Sequence, residues 1–138
     1  MATFVLDSSA VLASVLPGEE RGTTAADIIR RVARDGALAP AIWPLEVVNV
    51  LLKAERQRRL TPERCRTAIG GLRALPVLVE APPDWAELDA TARLARKHHM
   101  SLYDASYVGL AIARGLPLAT FDLPMRAVAE AERVTVLD

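Results

Sequence analysis

The sequence predicts an α/β sandwich built around a mostly parallel sheet. Three observations lead there: short β-prone runs recur along the chain, helical stretches separate them, and capping or breaking residues mark the junctions. With 138 residues, 51% of them hydrophobic and 25% charged, the chain has the size and apolar content of one compact unit, so residues 1–138 are read as a single domain.

Thr3-Phe4-Val5-Leu6 is a short apolar run ending at Asp7, and the Ala10 to Leu16 stretch reads as a helix stopped by Pro17 and Gly18. A second helix is expected from about Thr23 to Arg34, closed by Gly36, followed by a brief extended link from Ala37 to Pro40. From Trp43 to Arg59, Leu45, Val48, Leu51 and Leu52 recur at helical spacing, while Glu46, Asn49, Lys53 and Arg56 share another face. Thr61-Pro62-Glu63 is an N-cap followed by proline in the first turn, opening a helix toward Leu75 that Pro76 ends. Val77 to Val79 is a short strand. Pro83-Asp84-Trp85-Ala86-Glu87 starts the next helix with an acidic cap and a glutamate three residues on. Ser101 opens another, which reaches Arg114 with Gly115 at the left-handed C-cap position. Leu116 to Phe121 reads as strand, Leu123 to Ala131 as helix, and Val134 to Leu137 as a last strand.

Composition narrows the function classes. No apolar run approaches the roughly 18 residues of a membrane span, because Asp7, Ser8 and Ser9 interrupt the N-terminal one. That segment lacks a secretory pattern, and the single Cys65 rules out an internal disulfide, so the expected location is the cytoplasm. Net charge is zero, from 17 basic and 17 acidic residues, which argues against holding nucleic acid by bulk electrostatics. Locally, Lys53, Arg56, Arg58, Arg59, Arg64, Arg66 and Arg73 face only Glu55 and Glu63 in sequence, a basic stretch whose ordinary reading is a solvated pair of helix faces.

The informative residues are acids in apolar company: Asp7 after Phe4-Val5-Leu6, Glu46 within Trp43-Pro44-Leu45-Glu46-Val47-Val48, Asp104 within Ser101-Leu102-Tyr103-Asp104-Ala105, and Asp122 after Thr120-Phe121. Each has a structural explanation on its own. Asp7 and Asp122 stand where aspartate caps a helix, Asp104 follows Ser101 at capping-box spacing, and Glu46 can begin a polar helix face. Together they say more, because strand ends in a parallel sheet share one edge, where ligands bind. Four carboxylates meeting there would repel one another unless a cation neutralised them. An oxygen-only donor set suits Mg2+ or Mn2+ rather than zinc, and the adjacent His98 and His99 read as helix C-terminal residues. No Gly-x-Ser-x-Gly elbow and no Gly-x-x-x-x-Gly-Lys loop is present.

Val5-Leu6-Asp7-Ser8-Ser9-Ala10, Leu45-Glu46-Val47-Val48-Asn49, Tyr103-Asp104-Ala105-Ser106-Tyr107 and Thr120-Phe121-Asp122 closely resemble, in order and spacing, the acidic motifs of VapC-type PIN domains, the ribonuclease toxins of type II toxin–antitoxin systems. The resemblance spans essentially the whole chain. It implies a PIN-like three-layer α/β/α sandwich and an endoribonuclease whose acidic pocket holds one or two Mg2+ or Mn2+ ions. By the same resemblance, Asp7, Asp104 and Asp122 match metal-coordinating aspartates, and Glu46 matches a catalytic glutamate that binds metal or positions water. Thr120 matches a hydroxyl residue with an orienting role, while Asn49 and Ser8 match positions near the pocket. One departure is Leu123-Pro124-Met125-Arg126, where many relatives carry a leucine and some a further acid, which leaves one ion or two open.

The resemblance also implies an RNA substrate, for which the Lys53 to Arg73 stretch would form a backbone track. It implies a VapB-like antitoxin that wraps the toxin and places a basic side chain in the pocket, and it implies a homodimer. An apolar groove between the first helices, around Val11, Val15 and Leu51, is the expected docking surface, although such helical spacing more often means core. Two rival readings differ in chemistry. A haloacid-dehalogenase-type phosphatase needs a second aspartate where Ser9 stands. A catalytically inert PIN-like module that binds RNA or protein would leave the acids as caps.

Overall fold

Capping side chains set most helix starts. In the computed structural model, which describes residues 2–18 and 22–137, Thr61 accepts the Arg64 N–H at 3.1 Å, Asp84 accepts that of Glu87 at 2.8 Å, and Ser101 accepts that of Asp104 at 3.0 Å. Helix ends use left-handed residues, His99 at φ 54° and Gly115 at φ 63°. The order is β1 (Val5–Leu6), α1 (Ser8–Val15), α2 (Gly22–Asp35), β2 (Ala37–Ala39), α3 (Trp43–Arg56), α4 (Pro62–Ala74), β3 (Val77–Val79), α5 (Trp85–His98), α6 (Leu102–Arg114), β4 (Leu118–Ala119), α7 (Leu123–Ala131) and β5 (Val136–Leu137).

The helix expected to reach Arg59 stops at Arg56, because Arg58 takes a left-handed φ of 59° and the Arg59 N–H turns back to the Ala54 carbonyl at 2.8 Å. The two last strands are shorter than the apolar runs that encode them. Among the described residues the sheet is wholly parallel, in the order β3-β2-β1-β4-β5, with Val5 opposite both Leu38 and Leu118. Every strand returns to the sheet through a helical crossover, which is what parallel pairing requires.

The direction of winding reverses at β1. The chain builds outward through β2 and β3, then crosses back to lay β4 and β5 on the other side of β1. A crevice therefore opens outside the carboxyl ends of β1 and β4. Helices α1 to α4 pack among themselves, as do α5 to α7, so the sheet is covered by a helical layer on each side. Phe4, Val5, Leu6, Val11, Val32, Leu51, Val108 and Leu118 are completely buried at the centre. No helix of the described residues is long and apolar enough to cross a membrane.

One expectation fails here. Val11 and Leu51 cannot line a docking groove, because both are part of this core with no exposed surface. Their helical spacing encodes packing against the sheet. An open, mainly apolar cleft of about 450 Å³ does exist nearby, between the end of α1 and α4, and Val15 contributes to it with Leu16, Leu60 and Ala68.

Candidate acidic active site

Asp7 leaves β1 and Asp122 leaves β4, so the two flank the crevice at the reversal point. Glu46 and Asp104 lie in the first turns of α3 and α6. A helix that leaves or re-enters a parallel sheet starts over the strands' carboxyl edge, so both first turns open toward the same crevice.

Asp7 departs from the capping explanation. It occupies the N-cap position of α1, yet its side chain caps nothing there, and it is only 3% exposed. Its Oδ2 instead accepts hydrogen bonds from Ser9 Oγ at 2.6 Å and Thr120 Oγ1 at 2.8 Å. Both hydroxyls are oriented from behind: the Phe121 N–H donates to Ser9 Oγ at 2.9 Å, and the Asp122 N–H donates to Thr120 Oγ1 at 3.1 Å. Each hydroxyl has one proton, and the backbone bond leaves that proton for Asp7. Oδ1 meets Ser8 Oγ at a long 3.4 Å.

Asp122 does act as a cap, accepting the Met125 N–H on Oδ1 at 2.8 Å. Arg126 contacts Glu130 at 3.2 Å. Glu46 accepts a hydrogen bond on Oε1 from the phenol of Tyr107, which is fully buried on α6.

The electrostatics tie the acids together. Burial raises the Asp7 carboxyl above its ordinary value, the Ser9 and Thr120 bonds pull it back, and the charge of Asp122 pushes it up again. Glu46 is raised by burial and by the charges of Asp7 and Asp104, against the Tyr107 bond. Burial and the Asp122 charge raise Asp104, opposed by Ser101. Burial and the Glu46 bond likewise push the Tyr107 phenol far up, so it remains a donor. Charge therefore links the four predicted acids in pairs, Asp122 with Asp7 and with Asp104, and Glu46 with Asp7 and with Asp104. Among the described residues, however, no three His, Cys, Asp or Glu side chains stand in an arrangement that would hold a metal ion. The donor chemistry fits a hard cation; a shared coordination sphere requires rotamer changes, for which the partly exposed Asp104 and Asp122 have room.

Of the flanking residues, Asn49 is exposed and Ser8 half-buried. The basic residues from Lys53 to Arg73 are all exposed, with Arg66 near Glu63 at 3.7 Å and Arg59 donating to the Pro17 carbonyl at 3.3 Å. His98 ends α5, bonds Glu132 at 2.8 Å, and has no part in the acidic group. Sequence reasoning did not single out Ser9 and Tyr107, which bond two of the acids. A signal for Tyr107 existed: a tyrosine on the same apolar face as Val108 and Ala111, one turn after Asp104, needs a partner for its hydroxyl. Nothing local marked Ser9, whose partners Thr120 and Phe121 lie more than 100 residues away.

Ser9→Ala should therefore destabilise the protein by about 1.5 kcal/mol, the lower range for losing a hydrogen bond to a buried charged group. Urea unfolding measures this. An unchanged midpoint would mean that the hydroxyl contributes nothing to holding Asp7.

A parallel sheet that reverses at its central strand and gathers coupled carboxylates at that point defines an α/β protein with an acidic switch-point site. The chain belongs to the PIN-domain family, whose pattern matches residues 4–131. No curated protein matches it significantly. Among solved structures, it is similar to PAE2754 from Pyrobaculum aerophilum, with 23% identity and a TM-score of 0.72 over 98% of this chain and 83% of that one. It is also similar to the DNA-bound VapBC of Salmonella typhimurium, at 20% identity and TM-score 0.69 over 100% and 98% of the two chains. The Mycobacterium tuberculosis toxin VapC20, described as cleaving the sarcin-ricin loop, aligns at 16% identity and TM-score 0.68 over 91% and 94%. At these identities the likeness is one of fold.

Proposed function

We propose that this chain, acting as one PIN-like unit in the cytoplasm, is an Mg2+- or Mn2+-dependent endoribonuclease and the toxin of a VapBC-type toxin–antitoxin pair. The observation that carries the reading is Asp7: a buried carboxylate at the switch point, released from capping and held by two oriented hydroxyls. Family membership and the VapBC-like fold support the toxin assignment.

In this reading Asp7, Glu46, Asp104 and Asp122 hold the cation. When bound, it lowers the pKa of a water molecule and offsets charge growing on the phosphate during in-line displacement. The chain's own part is to keep the donors ionised and oriented. Ser9 and Thr120 stabilise the anionic form of Asp7 and occupy Oδ2, leaving Oδ1 as the donor oxygen. Cleavage would leave a 5′-phosphate and a 3′-hydroxyl. The partners in this reading are an RNA substrate, a VapB-like antitoxin and a second copy of the chain.

The test is cleavage of total cellular RNA with manganese, followed by end mapping. Cleavage that persists with excess chelator would exclude the metal mechanism. Absence of cleavage together with absence of manganese binding would leave a catalytically inert binding module. For the exposed basic stretch, charge reversal at Arg56 and Arg58 should weaken RNA binding several-fold at low salt and much less at high salt; equal affinity in a salt titration would exclude a backbone track there.

A further inference from the structure

Tyr107 is the largest completely buried side chain among the described residues, and its phenol donates to Glu46. The phenol stands on α6, one turn after Asp104, and donates its proton to Oε1 of Glu46 on α3. The Ser8 side chain, at the start of α1, stands beside the phenol. Two of the elements that supply acids, α3 and α6, are therefore joined at one oxygen atom. A phenol has a single proton, and with Glu46 taking it, the direction of the bond is fixed. Glu46 is the acid most in need of such a hold: its side chain has three torsions and starts from a half-buried first turn, flanked by the exposed Leu45.

We propose that Tyr107 is a positioning residue, which locks the rotamer of Glu46 by committing Oε1 to the phenol and leaving Oε2 as the oxygen available to a cation. The inference rests on the reading of Glu46 as part of a metal site. A glutamate left to rotate must be ordered when the ion binds, whereas one fixed by its neighbour is ordered on folding.

The experiment is manganese binding, read from the paramagnetic resonance signal of the free ion, with the unaltered chain, Tyr107→Phe, Glu46→Gln and the double variant. Tyr107→Phe should weaken binding about 10-fold, the usual scale for loss of an outer-sphere partner. It should cause no further loss on top of Glu46→Gln, and in RNA cleavage it should lower kcat with KM little changed. Unaltered manganese affinity in Tyr107→Phe, or the same loss in both backgrounds, overturns the proposal. If Asp7→Asn and Glu46→Gln also bind manganese like the unaltered chain, the metal-site reading itself falls and takes this role with it. If those two weaken binding and Tyr107→Phe does not, only the role of Tyr107 falls.

Metal-free melting checks that Tyr107→Phe folds, and a second measurement leaves position 107 as tyrosine. The sequence has two tyrosines, so in a Tyr103→Phe chain grown on fluorotyrosine the 19F resonance reports Tyr107 alone. It should shift when magnesium is added and should stay still in Glu46→Gln. A resonance indifferent to magnesium in the Glu46 chain overturns the proposal as well.

Discussion

Asp7→Asn should fold and cleave RNA at least about 100-fold more slowly than the unaltered chain, the scale of removing one well-placed electrostatic contact at a reacting centre. Asparagine is nearly isosteric, and its carbonyl oxygen can still accept from Ser9 and Thr120, so the crevice keeps its shape while it loses a charge. Stability should not suffer, because the native carboxylate is buried and repelled by Asp122. Asp104→Asn should lose activity similarly, since Asp104 shares the field of Asp122. The rates are compared at saturating manganese, with melting curves taken alongside. Cleavage near the native rate by a folded Asp7→Asn protein would falsify the site assignment.

Manganese should produce the largest change in stability. A cation that binds only the folded protein adds roughly 2.7 kcal/mol at a free concentration 100 times its dissociation constant. The metal-free protein should in turn respond to pH in an unusual sense. Asp7, Glu46 and Asp104 hold their protons more tightly when folded than the ordinary values of 3.8, 4.5 and 3.8 that apply to the unfolded chain. Between those values and the raised folded ones, the folded state binds more protons, so these three groups cost stability as pH rises through that window. Asp35 and Glu132 act in the opposite sense through Arg34 and through His98 and Lys97, and their contribution is lost only at lower pH. Stability without metal should therefore rise as a neutral solution is made mildly acid, then fall in stronger acid. With manganese present the mild-acid rise should vanish, since protons and cation compete for the same oxygens. Calorimetric melts with and without manganese across this range provide the check; identical curves would mean that no cation binds at the acids.

Most of the fold could be read from the sequence because its signals are local. Thr61, Asp84, Ser101 and Asp122 cap the helices their positions predict, and Gly115 takes the left-handed conformation expected of it. Boundaries slipped where no residue type enforces them, as at Arg58, which enters the left-handed region without being glycine. The acids were legible as a group because each breaks an apolar pattern. What surrounds them was not. Ser9 and Thr120 meet across the gap between β1 and β4, and Tyr107 reaches Glu46 from another helix, contacts that depend on strand order rather than on neighbouring residues. The mistaken groove at Val11 and Leu51 has the same origin: helical periodicity marks a face without saying whether it meets solvent or sheet.

The reversal of strand order has a practical outcome for anyone cutting the chain in two. A break in the exposed 81–84 segment puts Asp7 and Glu46 on one fragment and Asp104 and Asp122 on the other. The central β1–β4 pairing would then have to form between the fragments. Neither piece alone would own a complete set of acids, so the proposed ribonuclease activity would return only on reassembly, making this architecture a natural basis for a split reporter.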